Sequence, residues 1–123
     1  MKKKDNCFEY DDNLDALHIF EQGYQEDMEG SIVFGDFVFD VSKTGRVIGV
    51  EIDSASSLFK TTPEFMKNNI NSTFLECGVR QNILFLGFGV ILKGKEMSFN
   101  YMMPRNRAAF KNVICGMPQN ICP

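Results

Sequence analysis

Apolar positions along this chain recur mostly at every second residue, a period that predicts strands. Lys95 to Met103 alternates most cleanly, with Met97, Phe99, Tyr101 and Met103 on one face and Glu96, Ser98 and Asn100 on the other. That is the pattern of a half-buried strand. Ile83 to Leu92 is apolar on both faces, as a central strand is, and Gly87 and Gly89 inside it suit a bulge or close packing. Lys93-Gly94 between these segments predicts a two-residue turn. Thr73 to Arg80, closed by Gln81-Asn82, predicts a third strand of this group.

The first half is patterned similarly. Phe8 and Tyr10 lead into the turn-forming cluster Asp11-Asp12-Asn13, and Ala16 to Phe20 resumes an extended pattern. Gln22 to Gly30 predicts a polar, acidic loop, and Ser31 to Val41 predicts one long strand. Ser42 to Gly45 is a tight turn, with Gly45 free to take positive φ. Arg46 to Asp53 then returns as a strand, closing a hairpin with Ile48, Val50 and Ile52 on one face and Val47, Glu51 and Asp53 on the other. Two short helices follow. Asp53 or Ser54 is placed to cap one through Leu58 or Phe59, and Thr62 with Pro63 starts another that runs to about Asn69.

These elements give an α+β, mainly β fold: antiparallel meander sheets of about six to seven strands with one or two short helices in the middle. A single β-rich domain is expected over residues 1–104, with a unit at 8–56 and a helical link plus β-meander at 57–104. Pro104 ends the sheet pattern, and 105–123 is expected to be a tail, partly disordered or a short helix.

Composition confirms a globular chain, since 44% apolar and 24% charged residues suit a packed domain. Charge adds an asymmetry. Residues 1–30 hold nine acids against three lysines, whereas 61–123 hold three acids against seven bases. An acidic front half repels phosphate backbones and disfavours nucleic acid. No apolar run approaches the about 20 residues of a membrane span, and Asp5, Asn6 and Glu9 interrupt any signal-peptide pattern. A cytoplasmic location is expected, with Cys7, Cys77, Cys115 and Cys122 as free thiols.

The segment from Phe8 to Ser56 resembles the domain of unknown function 2283, a family of uncharacterised prokaryotic proteins. The matching pieces are Tyr10-Asp11, Asp15 to Ile19, Asp40 to Ile52, and the run Asp53-Ser54-Ala55-Ser56. His18 stands where the family often has Tyr, and Ser42 where it often has Asp. The likeness covers about 40% of the chain. It implies a scaffold and supplies no catalytic residues. Short relatives lie beside toxin-like genes, which implies an antitoxin-like partnership.

Candidate chemistry is sparse. Asp40, Ser42, Thr44, Gly45 and Glu51 fall at the spacing of a calcium-binding loop. The strand pattern from Arg46 onward favours a plain hairpin instead, because extension carries Glu51 away from Asp40. Asp11, Asp15 and Asp40, with Asp12, become metal candidates only if their two turns meet in space. His18 is the single histidine and has no partner at a recognisable spacing. Cys7 has both lysines and acids nearby, which act oppositely on a thiol. Arg105, Arg107 and Lys111 form the one basic cluster. No cofactor is expected.

The expected function is therefore a small, non-catalytic protein-binding or regulatory module whose acidic face meets a basic partner protein. The alternative is a divalent-cation-binding protein that uses the turn aspartates.

Overall fold

The computed structural model describes residues 7–23 and 28–104. Eight strands form two antiparallel sheets, one of five strands and one of three, joined by two short helices. The first sheet contains β1 (Cys7–Asp11), β2 (Ala16–Phe20), β3 (Met28–Phe34), β4 (Phe37–Ser42) and β5 (Val47–Ile52), in the order β1-β2-β5-β4-β3. The helices α1 (Ala55–Leu58) and α2 (Pro63–Asn69) lead to β6 (Ile70–Arg80), β7 (Ile83–Leu92) and β8 (Lys95–Pro104), a plain meander. In the first sheet, β5 closes the fold by pairing with both β4 and β2. This long return places residues from four different strands side by side on one face.

Alternation determines which face is which. Leu17 and Ile19 of β2, Val50 and Ile52 of β5, and Phe37 and Phe39 of β4 are buried against Leu84, Leu86, Phe88 and Val90 of β7. One cluster therefore spans both sheets. Aromatic rings stitch it together, with Phe37 5.1 Å from Phe88 and 5.2 Å from Tyr101, ring centre to ring centre. Phe59, which follows α1, is held 5.5 Å from Phe99. Full burial of Phe39, Phe59 or Phe88 contributes about 2–3 kcal/mol each by the hydrophobic effect. Met97, Phe99 and Tyr101 pack on the core from β8 as the alternation predicts; Met103 lies outside the described side chains.

Gly87 and Gly89 serve close packing. At Gly89 the Phe74 ring and the Met97 carbonyl leave no room for a Cβ, whereas at Gly87 a Cβ would press on the end of the Asn100 side chain. The pairing register runs through both without a shift.

Several expectations are corrected. The predicted long strand Ser31 to Val41 is instead a hairpin, because Gly35 takes φ 60° and folds Phe34 opposite Phe37. Gly-Asp is a known two-residue hairpin turn, and the apolar run on either side hid it. Met28–Gly30 belongs to β3 rather than to a loop. A register shift between Asp40 and Val41 pairs Val41 with Val47, and Val47 is buried in the core cluster although simple alternation puts it on the opposite face from Ile48, which is buried too. A bulge of this kind is invisible to a strict period of two. The tail 105–123, with Arg105, Arg107, Lys111, Cys115 and Cys122, lies outside the described residues. Among the described residues, no helix is long and apolar enough to cross a membrane.

Candidate functional site

Two polar networks occupy the first sheet, and both are built from residues that the sequence singles out. The first is centred on Asp15, in the β1–β2 turn. Asp11 shapes that turn by accepting hydrogen bonds from the backbone N–H groups of Asn13 and Leu14. Asp15 itself adopts a left-handed backbone, φ 52°, which Asp tolerates better than most residues. Its carboxylate accepts from the Tyr10 hydroxyl at 2.6 Å, the Ser56 hydroxyl at 2.7 Å and the Ser56 backbone N–H at 3.0 Å. Its carbonyl accepts from the Ala55 N–H. Burial pushes the Asp15 carboxyl up, but these three hydrogen bonds outweigh it and hold the group below its ordinary value. The Tyr10 hydroxyl is raised by its own burial and then by donating to Asp15.

Asp15 is thus the cap of α1. Ser54, expected to cap that helix, makes no side-chain cap hydrogen bond. A residue 41 positions from Ser56 does so instead. Thr62 caps α2 as expected, accepting from the Phe65 N–H at 3.2 Å.

The second network lies on the face of the five-stranded sheet turned away from the core. His18 of β2 and Asp40 of β4 are separated by β5, yet His18 Nε2 lies 3.1 Å from Asp40 Oδ2. Gly49 makes this possible. It pairs with Phe20 on one side and Asp40 on the other, and a Cβ there would meet Asp40 Oδ2 at 2.8 Å. The missing side chain leaves the gap that this contact crosses. Ser31 of β3 donates to the other carboxylate oxygen, Asp40 Oδ1, at 3.1 Å. Asp40 is buried, whereas the His18 side chain keeps 19% of its exposure. His18 therefore has an acidic partner after all, 22 residues away and supplied by the fold.

This pair opens into a shallow cavity of about 720 Å³. Glu9, Asp11, Asp12, Asp40 and Glu51 line it, and among the described residues no lysine or arginine does. Glu9 stands opposite His18 on β1 and Glu51 opposite His18 on β5, so the imidazole sits in a row between two carboxylates. Lys67 of α2 approaches the rim, 3.5 Å from Asp12, with the lysine exposed and Asp12 half-buried. A polar pocket around His18 is what acid–base chemistry would require. The Ser31 hydroxyl donates to Asp40. That arrangement does not activate a serine nucleophile.

The calcium-loop reading resolves differently. Ser42 Oγ accepts from the backbone N–H groups of Thr44 and Arg46, so the third position of the supposed loop shapes the turn. Glu51 is not carried away from Asp40, as strand extension suggested. The hairpin returns it to the diagonal position, since Asp40 pairs with Gly49 and Val38 with Glu51. Asp11 and Asp40 share the cavity, but Asp15 is engaged by Tyr10 and Ser56. Among the described residues, no group of three or more His, Cys, Asp or Glu is arranged to hold a metal ion.

Sequence reasoning missed a buried pair. Arg46 Nη2 donates to both carboxylate oxygens of Glu21 at 2.7 Å, and Glu21 is 4% exposed. A carboxylate just beyond an apolar strand and a lone arginine in a turn gave no sign of meeting. Of the cysteines, Cys7 is buried. Cys77 is disulfide-bonded, which corrects the expectation of a free thiol there. Compared with known family models, curated proteins and solved structures, the chain matches none.

Proposed function

We propose that the chain is a non-catalytic binding module whose five-stranded sheet presents an acidic face to a basic segment of a partner protein, in the manner of a toxin-neutralising subunit. One observation carries this reading: five carboxylates line a single open cavity that, among the described residues, is lined by no lysine or arginine. Carboxylates gathered without compensating cations raise the local concentration of a cationic partner and speed its encounter. Arginine suits such a surface, because its planar guanidinium bonds a carboxylate with two parallel N–H groups. Membership of the domain of unknown function 2283 is part of the same proposal. It is supported by Tyr10, Asp15 and Ser56, which belong to the resembling motif and meet in one network.

The test is titration calorimetry with an oligo-arginine peptide at low ionic strength. Wild type is expected to bind, and the E9K/E51K variant to bind at least about tenfold more weakly, a loss of ~1.4 kcal/mol. Equal binding by the two proteins sinks the reading. Cytoplasmic residence is also proposed. The disulfide at Cys77 stands against that compartment, whose reducing conditions keep thiols free, so Cys77 found blocked against alkylation in fresh extract sinks this part of the proposal.

A further inference from the structure

Resting on the cation-binding reading just proposed, we infer that His18 is a proton-controlled switch of the acidic face. When charged, it occupies the carboxylates that a basic segment would otherwise use. The geometry is specific to this residue. From β4, Asp40 lies 3.1 Å from His18 Nε2. From β1 and β5, Glu9 and Glu51 stand directly opposite it. Gly49 of β5 contributes no side chain, and Ser31 of β3 reaches the network only through Asp40. On its own strand, the Phe20 ring lies 4.8 Å away, centre to centre. Asp11 and Asp12 complete the charged lining from the β1–β2 turn.

Among the described residues no lysine or arginine lines the cavity, and Lys67 reaches only its rim at Asp12, so protonation of His18 adds a positive charge among the remaining carboxylates. The histidine is open enough to exchange protons with solvent and close enough to Asp40 to keep its place in either state. Imidazole chemistry changes charge between about pH 5 and 8. Uncharged, His18 donates one N–H to Asp40 and leaves Glu9 and Glu51 to an incoming cation. Charged, it becomes an internal competitor for the same carboxylates and repels that cation.

The chain has a single histidine, so one substitution removes the group entirely. Oligo-arginine binding is measured for wild type and H18Q at pH ~6 and ~8, a window above the ordinary carboxylate range. One added unit charge beside a ligand on a solvent-open face is expected to weaken wild-type binding about threefold at the lower pH. H18Q is expected to bind equally at both. A ligand-free readout accompanies this: the amide resonances of Gly49 and Asp40 should move between the two pH values in wild type and stay still in H18Q. H18N serves the same comparison if the H18Q spectrum departs from the native one. Binding whose pH dependence survives in the variant overturns the switch alone, as do amide shifts that are alike in both proteins. Failure of wild type to bind at either pH overturns the cation-binding reading and the switch with it.

Discussion

Replacing Asp15 by alanine removes three hydrogen bonds from one carboxylate and places alanine at φ 52°. Hydrogen bonds to a charged group are worth about 1.5–3 kcal/mol each, but three that share one acceptor do not add in full. The left-handed backbone costs alanine about 1 kcal/mol more. Ser56 is 5% exposed, so its N–H and hydroxyl cannot easily turn to water. Together these give an expected loss of about 3–4 kcal/mol for Asp15→Ala, roughly 10–20 °C in Tm for a domain of this size. Tyr10→Phe and Ser56→Ala each remove one bond and should cost about 1–1.5 kcal/mol. Urea unfolding followed by circular dichroism reads all three, with an unchanged m-value as the sign that the fold is kept.

The same group predicts a pH dependence. Folded Asp15 holds its proton less readily than unfolded Asp15. Its contribution is therefore present above the unfolded carboxyl value, ~3.9, and is lost as pH falls through the lower folded value. The gap between wild type and Asp15→Asn should stay constant from pH ~5 to ~8 and narrow below pH ~4. A loss under about 1 kcal/mol for Asp15→Ala, or a gap as wide in acid as at neutrality, would refute the view that this carboxylate latches α1 to the first sheet.

Two further tests address packing and charge. Gly89→Ala would put a Cβ 2.5 Å from the Met97 carbonyl and against the Phe74 ring, and since a backbone oxygen cannot step aside, the loss should be at least about 3 kcal/mol or folding should fail; unaltered denaturant stability would show that β7 and β8 are less tightly joined. Arg46→Met leaves the nearly buried Glu21 unpaired, whereas Glu21→Gln leaves an arginine whose side chain is 27% exposed and can find water. Urea denaturation should therefore show a cost of about 3 kcal/mol for the first and roughly half that for the second, and the reverse order would contradict the asymmetry in burial.

Much of the architecture was legible locally. The turns at Ser42 to Gly45 and at Lys93-Gly94, the Thr62 cap with Pro63, and the fully apolar β7 all declare themselves within a few residues. What escaped was non-local. The Gly35-Asp36 turn was masked because the residues flanking it are apolar on both sides, so one strand and two read alike. The bulge beside Val41 moved Val47 into the core without any change of composition. Of Asp53 and Ser54, Ser54 does occupy the N-cap position of α1, but the capping hydrogen bond came from Asp15, whose partner is 41 residues away.

The acidic face shows the same division. The sequence by itself determined that the chain is mainly β, that its front half is acidic, and that Tyr10, His18 and Asp40 lie in strand segments. Short-range sterics and hydrogen-bonding preferences suffice for that, because they act between neighbours along the chain. Only the tertiary structure decided that Asp15 is consumed in a latch while His18 and Asp40 meet over Gly49 between two facing glutamates. That outcome depends on the strand order β1-β2-β5-β4-β3, which is chosen by how the two sheets bury their shared aromatic core. Strand order is a property of the whole chain's packing, and no window of sequence carries it.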